Sequence, residues 1–311
     1  MMKRLISLLL SLILALPCAA MADTPKPIDT IPFDQLPETR DGMYHYLLLC
    51  VDQWQGKPHN LGNTDGIMIL TLDVRANRIM LTSLIRDALV VRPDGVIGRV
   101  NYIAKNYGPE ELCRVLSEHL GIRIEKYVLF DFQQIANIVD YMGGVEIEVN
   151  ASEARYLRDY PLDAHQTTPK MNRAGTYLFT GRAAVIYMRI RKAGGGGDFT
   201  RTQRARTVLS TLADKCRVMD YTQARALVDS VSSNTTMTNM TLEEMVMAME
   251  QAYSLRSCVI EELRIPQEDA VSPISYAGMS VQEIDWVKSR EDMEDYLECG
   301  WLVIDDEVYE D

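Results

Sequence analysis

Three strand-length runs, Tyr44 to Val51, Gly66 to Val74 and Arg78 to Ile85, are apolar over most of their length. A strand with one wet face alternates apolar and polar residues, so runs that barely alternate belong to a sheet covered on both faces. Arg75-Ala76-Asn77 joins the second and third runs as a turn. Further on, Pro109 stands where a first helical turn would start, and Leu112, Val115, Leu116 and Leu120 follow at helical spacing before Gly121. That pattern predicts a helix with proline inside its start and glycine past its end. Lys126 to Phe130 then reads as a strand, Phe132 to Met142 as a helix, Gly143-Gly144 as a turn and Val145 to Val149 as a strand. Such alternation specifies a layered α/β domain.

The second half is less regular. Asn150 to Gly175 is polar and reads as an excursion over the sheet, after which Thr180 is placed to cap a short helix through Tyr187. From Thr202 to Arg217, Val208, Leu209, Leu212 and Ala213 share one helical face, and Thr241 with Glu244 forms a capping box ahead of Met245, Val246, Met249 and Ala252. Val259 to Ile265 reads as a late strand, and Ser289 with Asp292 as the opening of a last short helix.

The N-terminus carries Lys3 and Arg4, an apolar run from Leu5 to Ala20, and the small-residue site Ala20-Met21-Ala22. Residues 1–22 therefore read as an export signal, either a cleaved signal peptide or a signal anchor. Residues 23–42, with Pro25, Pro27, Pro32 and Pro37, read as an extended linker, the folded domain as 43–300, and 301–311 as an acidic, solvated tail. Beyond the signal, Cys50, Cys113, Cys216, Cys258 and Cys299 are odd in number and lack metal-like spacing. Free thiols are expected for most, with Cys258 and Cys299 as the one conceivable pair. The formal charge of -12 excludes a general nucleic-acid binder, whose affinity comes from a basic surface.

Against that acidic background, Arg189, Arg191, Arg201 and Arg204 cluster around Gly194 to Gly197 and Asp198. Residues at i and i+2 share a face of an extended segment, and those at i and i+3 share a face of a helix, so the glycines let two pairs converge on an anion. The fork of a guanidinium suits phosphate or pyrophosphate. The glycine run itself is no Walker loop, because the Lys-Ser/Thr pair is missing. Three carboxylates stand at strand ends or turns: Asp52, Asp65 and Asp87. Asp52 and Asp65 could share a divalent cation with substrate phosphates, or serve as ordinary turn aspartates. Arg86 leaves the third strand beside Asp87, and adjacent residues of a strand point to opposite faces, so the two need not pair. Asp198 is fully explained as a helix cap, which its spacing favours, with a base near the arginines as the functional reading.

Taken in order, these segments resemble the LytR-CpsA-Psr family of cell-wall glycopolymer ligases. Leu49-Cys50-Val51-Asp52 is similar to the family's first strand and aspartate, and Thr64-Asp65-Gly66-Ile67-Met68 to its "S-D-T-M" turn. Ser83 to Asp87 resembles "S-I-P-R-D", Val100-Asn101-Tyr102-Ile103 the "L-N-x-A" segment, and Gly143 to Ile147 "G-G-V-x-V". Leu178 to Arg191 resembles "L-x-G-x-x-A-L-x-Y-x-R-x-R", and Asp198 to Arg204 "D-x-x-R-x-x-R". Two departures stand out: Asn63 replaces an arginine of the family pattern, and Ile85 replaces its proline.

The resemblance implies a three-layer α/β/α domain with a mixed central sheet and an apolar pocket for a prenyl chain. It implies an extracytoplasmic, Mg²⁺-dependent transferase, secreted or held at the outer face of the cytoplasmic membrane. Such an enzyme moves a glycopolymer phosphate from a polyprenyl-pyrophosphate carrier to peptidoglycan at the membrane surface. In that scheme Asp52 and Asp65 bind Mg²⁺, Arg86, Arg189, Arg191, Arg201 and Arg204 bind pyrophosphate, and Asp198 acts as the base, with Arg86 and Arg201 assisting catalysis. A non-catalytic prenyl-phosphate or anionic-polymer binding module, and a pyrophosphatase using water, remain the alternative readings.

Overall fold

The computed structural model describes residues 24–53, 60–159, 173–190, 197–233, 235 and 237–298, with the side chains of 159 and 197–202 left out. The signal segment, Arg191, Cys299 and the acidic tail lie outside the described residues. In chain order the strands are β1 (Met43–Val51), β2 (Thr64–Asp73), β3 (Arg78–Leu84), β4 (Leu89–Val91), β5 (Ile97–Arg99), β6 (Lys126–Phe130), β7 (Val145–Val149), β8 (Gly175–Phe179), β9 (Met237–Thr238), β10 (Ile260–Ile265), β11 (Val271–Tyr276) and β12 (Met279–Ile284). The α-helices are α1 (Ile103–Tyr107), α2 (Pro109–Leu120), α3 (Phe132–Tyr141), α4 (Ala151–Asp159), α5 (Gly181–Met188), α6 (Gly197–Arg217), α7 (Tyr221–Ser233), α8 (Leu242–Ser254) and α9 (Trp286–Glu298).

Six strands form the central sheet in the order β10-β3-β2-β1-β6-β9. The β1–β2 and β2–β3 pairs are antiparallel hairpins, whereas β1–β6 and β3–β10 are parallel crossovers, so the sheet is mixed. Period-2 alternation sorts the apolar runs onto two faces. Leu47, Leu49, Val51, Ile67, Ile69, Met80, Leu84, Tyr127 and Leu129 enter one close-packed core with Leu112, Val115 and Leu116 of α2 and Trp286 and Met293 of α9. Tyr46, Leu48, Leu70, Leu72, Ile79 and Leu81 point to the other face, under α6, α7 and α8. The result is the expected three-layer α/β/α arrangement. A second core joins α3, α4, α5 and α6 to the β7–β8 hairpin, through Val139, Ile147, Leu157, Phe179, Ile186 and Val208.

Several elements follow their local chemistry. Pro109 opens α2, and Gly121 closes it at φ 73° in the left-handed region. Asp131 with Gln134 and Thr241 with Glu244 both complete reciprocal capping boxes. Other expectations need correction. The segment after Asn150 is not an irregular excursion at its start: Asn150 accepts the Ser152 and Glu153 amides and nucleates α4. The last helix begins at Trp286 under an Asp285 cap, earlier than Ser289. Residues 24–42 are mostly extended but docked, with Leu36 only 4% exposed and the Ile31 amide donating to the Glu118 carbonyl. Cys50, Cys113, Cys216 and Cys258 are free thiols.

Among the described residues, the contact between α3 and α5 is the tightest to depend on a glycine. A Cβ on Gly181 would sit 1.9 Å from the Ala136 carbonyl oxygen, and the Gly181 amide donates to Asp140 at 2.7 Å. This approach sets the position of α5, and therefore of Arg189 at its C-cap. Gly181→Ala should lower unfolding stability by about 2 kcal/mol or more by forcing rigid backbone apart, measurable as a reduced urea midpoint.

Two histidines are buried as neutral rings. His119 sits with Nδ1 2.6 Å from the Val115 carbonyl, accepts the Val91 amide at 3.0 Å on Nε2, and meets Trp286 edge-on. His45 places Nδ1 2.8 Å from Thr71 Oγ1. Burial first, and a nearby arginine in each case, pushes both down from 6.5 to about 4. The unfolded chain therefore takes up protons that the fold refuses between these values. Their contribution is fully present above about pH 6.5 and is lost as pH falls toward 4, at most about 3 kcal/mol per histidine. Urea titrations between pH 7 and pH 4.5 should show the loss, and His119→Gln should flatten it.

Candidate functional site

The β1–β2 hairpin brings two carboxylates to one end of the sheet. A register irregularity between Cys50 and Val51 shifts the pairing so that Val51 opposes Thr64, and the Asp52 amide donates to the Asn63 carbonyl at 2.8 Å. Asp52 and Asp65 thus leave adjacent strand ends. Gly66 lies opposite Cys50, and a Cβ there would approach the Cys50 Cβ to 3.0 Å, which keeps the space beside Asp65 open.

Each carboxylate holds an arginine. Arg86, in the turn after β3, donates from Nη1 to Asp65 Oδ1 at 2.5 Å, with both side chains largely buried. Its Nε also lies 3.5 Å from Asp87, so the neighbours do approach each other. They sit beyond the end of β3, where strand alternation no longer separates them. Asp87 is shared with Arg99, which donates at 3.0 Å and stacks over Tyr102 at 4.3 Å. Arg189 donates from Nη2 to Asp52 Oδ1 at 3.1 Å and lies 4.4 Å over the Phe132 ring. Phe132 is fixed in turn by the Asp131 capping box and by its amide bond to the Gln53 carbonyl. Asp65, Gly66, Phe132, Met188, Arg189 and Ala205 line one small recess of about 40 Å³.

Behind that recess lies a much larger apolar cavity of about 400 Å³ between the sheet and helices α6, α7 and α8. Leu48, Leu70 and Leu81 form its floor, and Leu209, Val228 and Met249 belong to its roof. The two spaces are joined by one apolar cluster, in which Met68, Leu81 and Ala205 pack with Leu48, Met188, Leu209 and Ile260. Tyr253, Arg217 and Arg256 line the cavity as well, with the Arg256 guanidinium 4.2 Å over the Tyr253 ring. A charged recess and a large apolar space that border one shared apolar cluster suit an amphiphile with an anionic head.

The structure gathers Asp52, Asp65, Arg86 and Arg189, and engages Arg204 in a buried ion pair of its own. Arg204 is 4% exposed, donating to Glu153 at 2.6 Å and to the Ile190 carbonyl at 2.8 Å. It ties α6 to α4 and to the residue after Arg189. Arg191 lies outside the described residues, and so do the side chains of Asp198 and Arg201, although the backbone of both belongs to the first turns of α6. Phe132, Arg99 and the cavity-lining residues were not singled out from sequence. The aromatic directly after a strand-end aspartate is the one local signal that could have found Phe132.

The donor set also answers whether Mg²⁺ fits. Among the described residues no group of three or more His, Cys, Asp or Glu side chains converges. A complete protein cage is therefore not formed by them, whereas Asp52 and Asp65 suit the way Mg²⁺ uses one or two carboxylates plus substrate phosphates. The recess is electrically balanced by its two pairs, so a pyrophosphate entering it would need additional positive charge. Asn63 adds none at the position where the resemblance expects an arginine; its Oδ1 is buried without a hydrogen-bond partner.

Comparison with known proteins agrees with this architecture. The LytR_cpsA_psr family model matches residues 20–292. Biofilm regulatory protein A of Streptococcus mutans is 26% identical over 184 residues, covering 56% of this chain and 44% of that protein. Polyisoprenyl-teichoic acid--peptidoglycan teichoic acid transferase TagV of Bacillus subtilis is 26% identical over 215 residues, covering 67% of this chain and 53% of the relative. The chain thus spans about half the length of these relatives. The solved structure of TagT bound to LIIa-WTA superposes with a TM-score of 0.67 at 20% identity, covering 85% of this chain and 94% of TagT. Fold, ordered motifs and family match converge, and the chain belongs to the LytR_cpsA_psr family.

Proposed function

We propose that this protein transfers a glycopolymer phosphate from a polyprenyl-pyrophosphate carrier to peptidoglycan, forming a phosphodiester at the outer face of the cytoplasmic membrane. The observation that carries it is the pair of arginine–carboxylate contacts beside an apolar cluster that also borders the large apolar cavity. The names of relatives such as the teichoic acid transferase TagV support the same substrate class.

In this reading the prenyl chain enters the cavity, and its pyrophosphate meets Arg86 and Arg189, which exchange carboxylate for phosphate oxygens of the same geometry. Asp52 and Asp65, released from their arginines, are the residues that would hold Mg²⁺, which supplies charge neutralisation on the phosphates. An acceptor hydroxyl forms a bond to the glycan-bearing phosphorus while the bridging P–O bond of the pyrophosphate breaks, and polyprenyl phosphate leaves with the electron pair. Asp198 takes the hydroxyl proton. Positioning and charge stabilisation carry this class of transfer, so no covalent nucleophile is required.

Incubation of the protein with a lipid-linked glycan, peptidoglycan and Mg²⁺ should release polyprenyl phosphate and label the peptidoglycan. Arg86→Ala and Arg189→Ala should each lower kcat by about a hundredfold or more, and full turnover by both would overturn the assignment. EDTA should stop the reaction, and Mg²⁺ should restore it. Release that continues without peptidoglycan would instead mark a pyrophosphatase.

The cavity gives a separate expectation. Ala248 lines it from α8, so Ala248→Trp should fill the space available to a long chain. The kcat/KM for long-chain donors should fall about tenfold, while short-chain analogues stay within about twofold. Equal losses for both would show that the chain does not occupy the cavity.

A further inference from the structure

The Arg86–Asp65 contact does not end at Arg86. Asp87 divides its two carboxylate oxygens between two guanidinium groups: Oδ2 lies 3.5 Å from Arg86 Nε, and Oδ1 accepts from Arg99 Nη1 at 3.0 Å. Asp65 meets Arg86 at Nη1. Asp65, Arg86, Asp87 and Arg99 therefore alternate in sign along one run of contacts. The most open of the four side chains, Asp87, is 19% exposed. Water screens charges weakly in such surroundings, so each member feels the charge beyond its immediate neighbour.

Backbone hydrogen bonds hold Arg99 in this place. It ends β5 opposite Leu89 of β4, the Val100 amide donates to the Ala88 carbonyl at 2.9 Å, and the Asn101 amide donates to the Arg86 carbonyl at 3.3 Å. Residues 99–101 are thus strapped to the turn that carries Arg86 and Asp87. A further element steadies Asp87, whose carbonyl accepts the Gln282 amide of β12 at 2.9 Å. The Arg99 guanidinium lies 4.3 Å over the Tyr102 ring. Stacked on an aromatic face and bonded to one carboxylate oxygen, it has little room to swing away. Arg99 does not line the recess beside Asp65 and Arg189, and the transfer described above gives it no task.

Charge balance supplies one. An anion that takes the place of Asp65 on Arg86 meets a guanidinium that still faces Asp87. An unopposed Asp87 would cancel the charge of Arg86 and repel the incoming anion. With Arg99 on its other oxygen, Asp87 is itself offset, so it can hold Arg86 by Nε without neutralising it. We propose that Arg99 is a positioning residue of the anion site: acting through Asp87, it keeps Arg86 in place and keeps the charge of Arg86 available to phosphate. The identity of the anion as a pyrophosphate rests on the transferase reading above, whereas the relation among the four charges stands on the contacts alone.

Two measurements separate this role from the reading it extends. Inorganic pyrophosphate is titrated into the full-length protein in the presence of Mg²⁺ by isothermal titration calorimetry, and release of polyprenyl phosphate is followed separately in the turnover assay. Arg99→Gln keeps much of the side chain but removes its charge, and should weaken pyrophosphate binding about tenfold, whereas Arg99→Lys should stay within about threefold of wild type. Adding Asp87→Asn to Arg99→Gln removes the unopposed carboxylate, and should restore affinity to within about threefold of wild type or better. A residue that only braces the fold predicts the reverse, a double variant at least as weak as the single one. In turnover, Arg99→Gln should raise the donor KM about tenfold and leave kcat within about threefold, the mark of binding lost equally from ground and transition states. Binding indifferent to Arg99→Gln, a double variant that recovers nothing, or a wild type that binds no pyrophosphate overturns the inference. If Arg99→Gln alone fails to fold, the double variant decides: affinity near that of wild type supports the role, and a tenfold loss overturns it. Absent turnover with the binding pattern intact would overturn the transferase reading alone.

Discussion

A sheet whose two faces are both apolar must be covered twice, and the way this molecule covers them organises everything else. On one face α2 and α9 interdigitate with Leu47, Leu49, Ile67 and Met80 to form a closed core. On the other face the helical layer stands off, and a cavity of about 400 Å³ remains over Leu48, Leu70 and Leu81. Empty apolar volume is costly, because its lining forfeits packing contacts that a filled core would have. An apolar guest that fills it recovers those contacts and stabilises the fold by mass action. The residues that weaken the fold are in this sense the ones that hold room for an apolar guest.

The charged end is kept orderly by a different device. Arg86 and Arg189 are each paired with an aspartate from a neighbouring strand end. For the largely buried Arg86–Asp65 pair, removing a partner leaves an uncompensated charge, which is the expensive outcome, whereas the more exposed Arg189–Asp52 pair is screened by water. Exchanging the carboxylate for a phosphate avoids that cost, since the guanidinium keeps an anionic, bidentate acceptor. The surrounding scaffold makes the exchange local. Gly181 lets α5 approach α3 closely, Phe132 stacks beneath Arg189, and the buried Arg204–Glu153 pair fixes the segment that follows it. Arg204 thus contributes to the site by holding the backbone at Ile190.

Much of this was legible in the chain. The apolar runs gave β1, β2 and β3 within a residue or two, because hydrophobic period and turn residues at Arg75 to Asn77 agree with each other. Pro109 and Gly121 bounded α2, and the Thr241–Glu244 capping box appeared as drawn, whereas the one at Asp131 and Gln134 came only with the structure. What stayed hidden has physical causes. Helix α4 begins at an asparagine cap in a polar stretch with few apolar anchors, so its period was weak. β8 exists only as the partner of β7, a pairing no local signal reveals. The cavity was implied only by the resemblance and could not be read from the residues, since Leu70 in a cavity wall and Ile69 in a packed core belong to the same strand and have the same chemistry. Arg204 looked like its neighbours until burial set it opposite Glu153.

The hairpin that carries the carboxylates borders an apolar space on one face of the sheet, over Leu48 and Leu70, while Leu47, Leu49 and Ile67 of the same strands close the core on the other. Asn63 occupies the junction as a neutral residue. With no arginine there, the positive charge that the described residues bring to these strand ends rests on Arg86 and Arg189, each already balanced by an aspartate, so an anion entering beside them would need further positive charge to be held tightly.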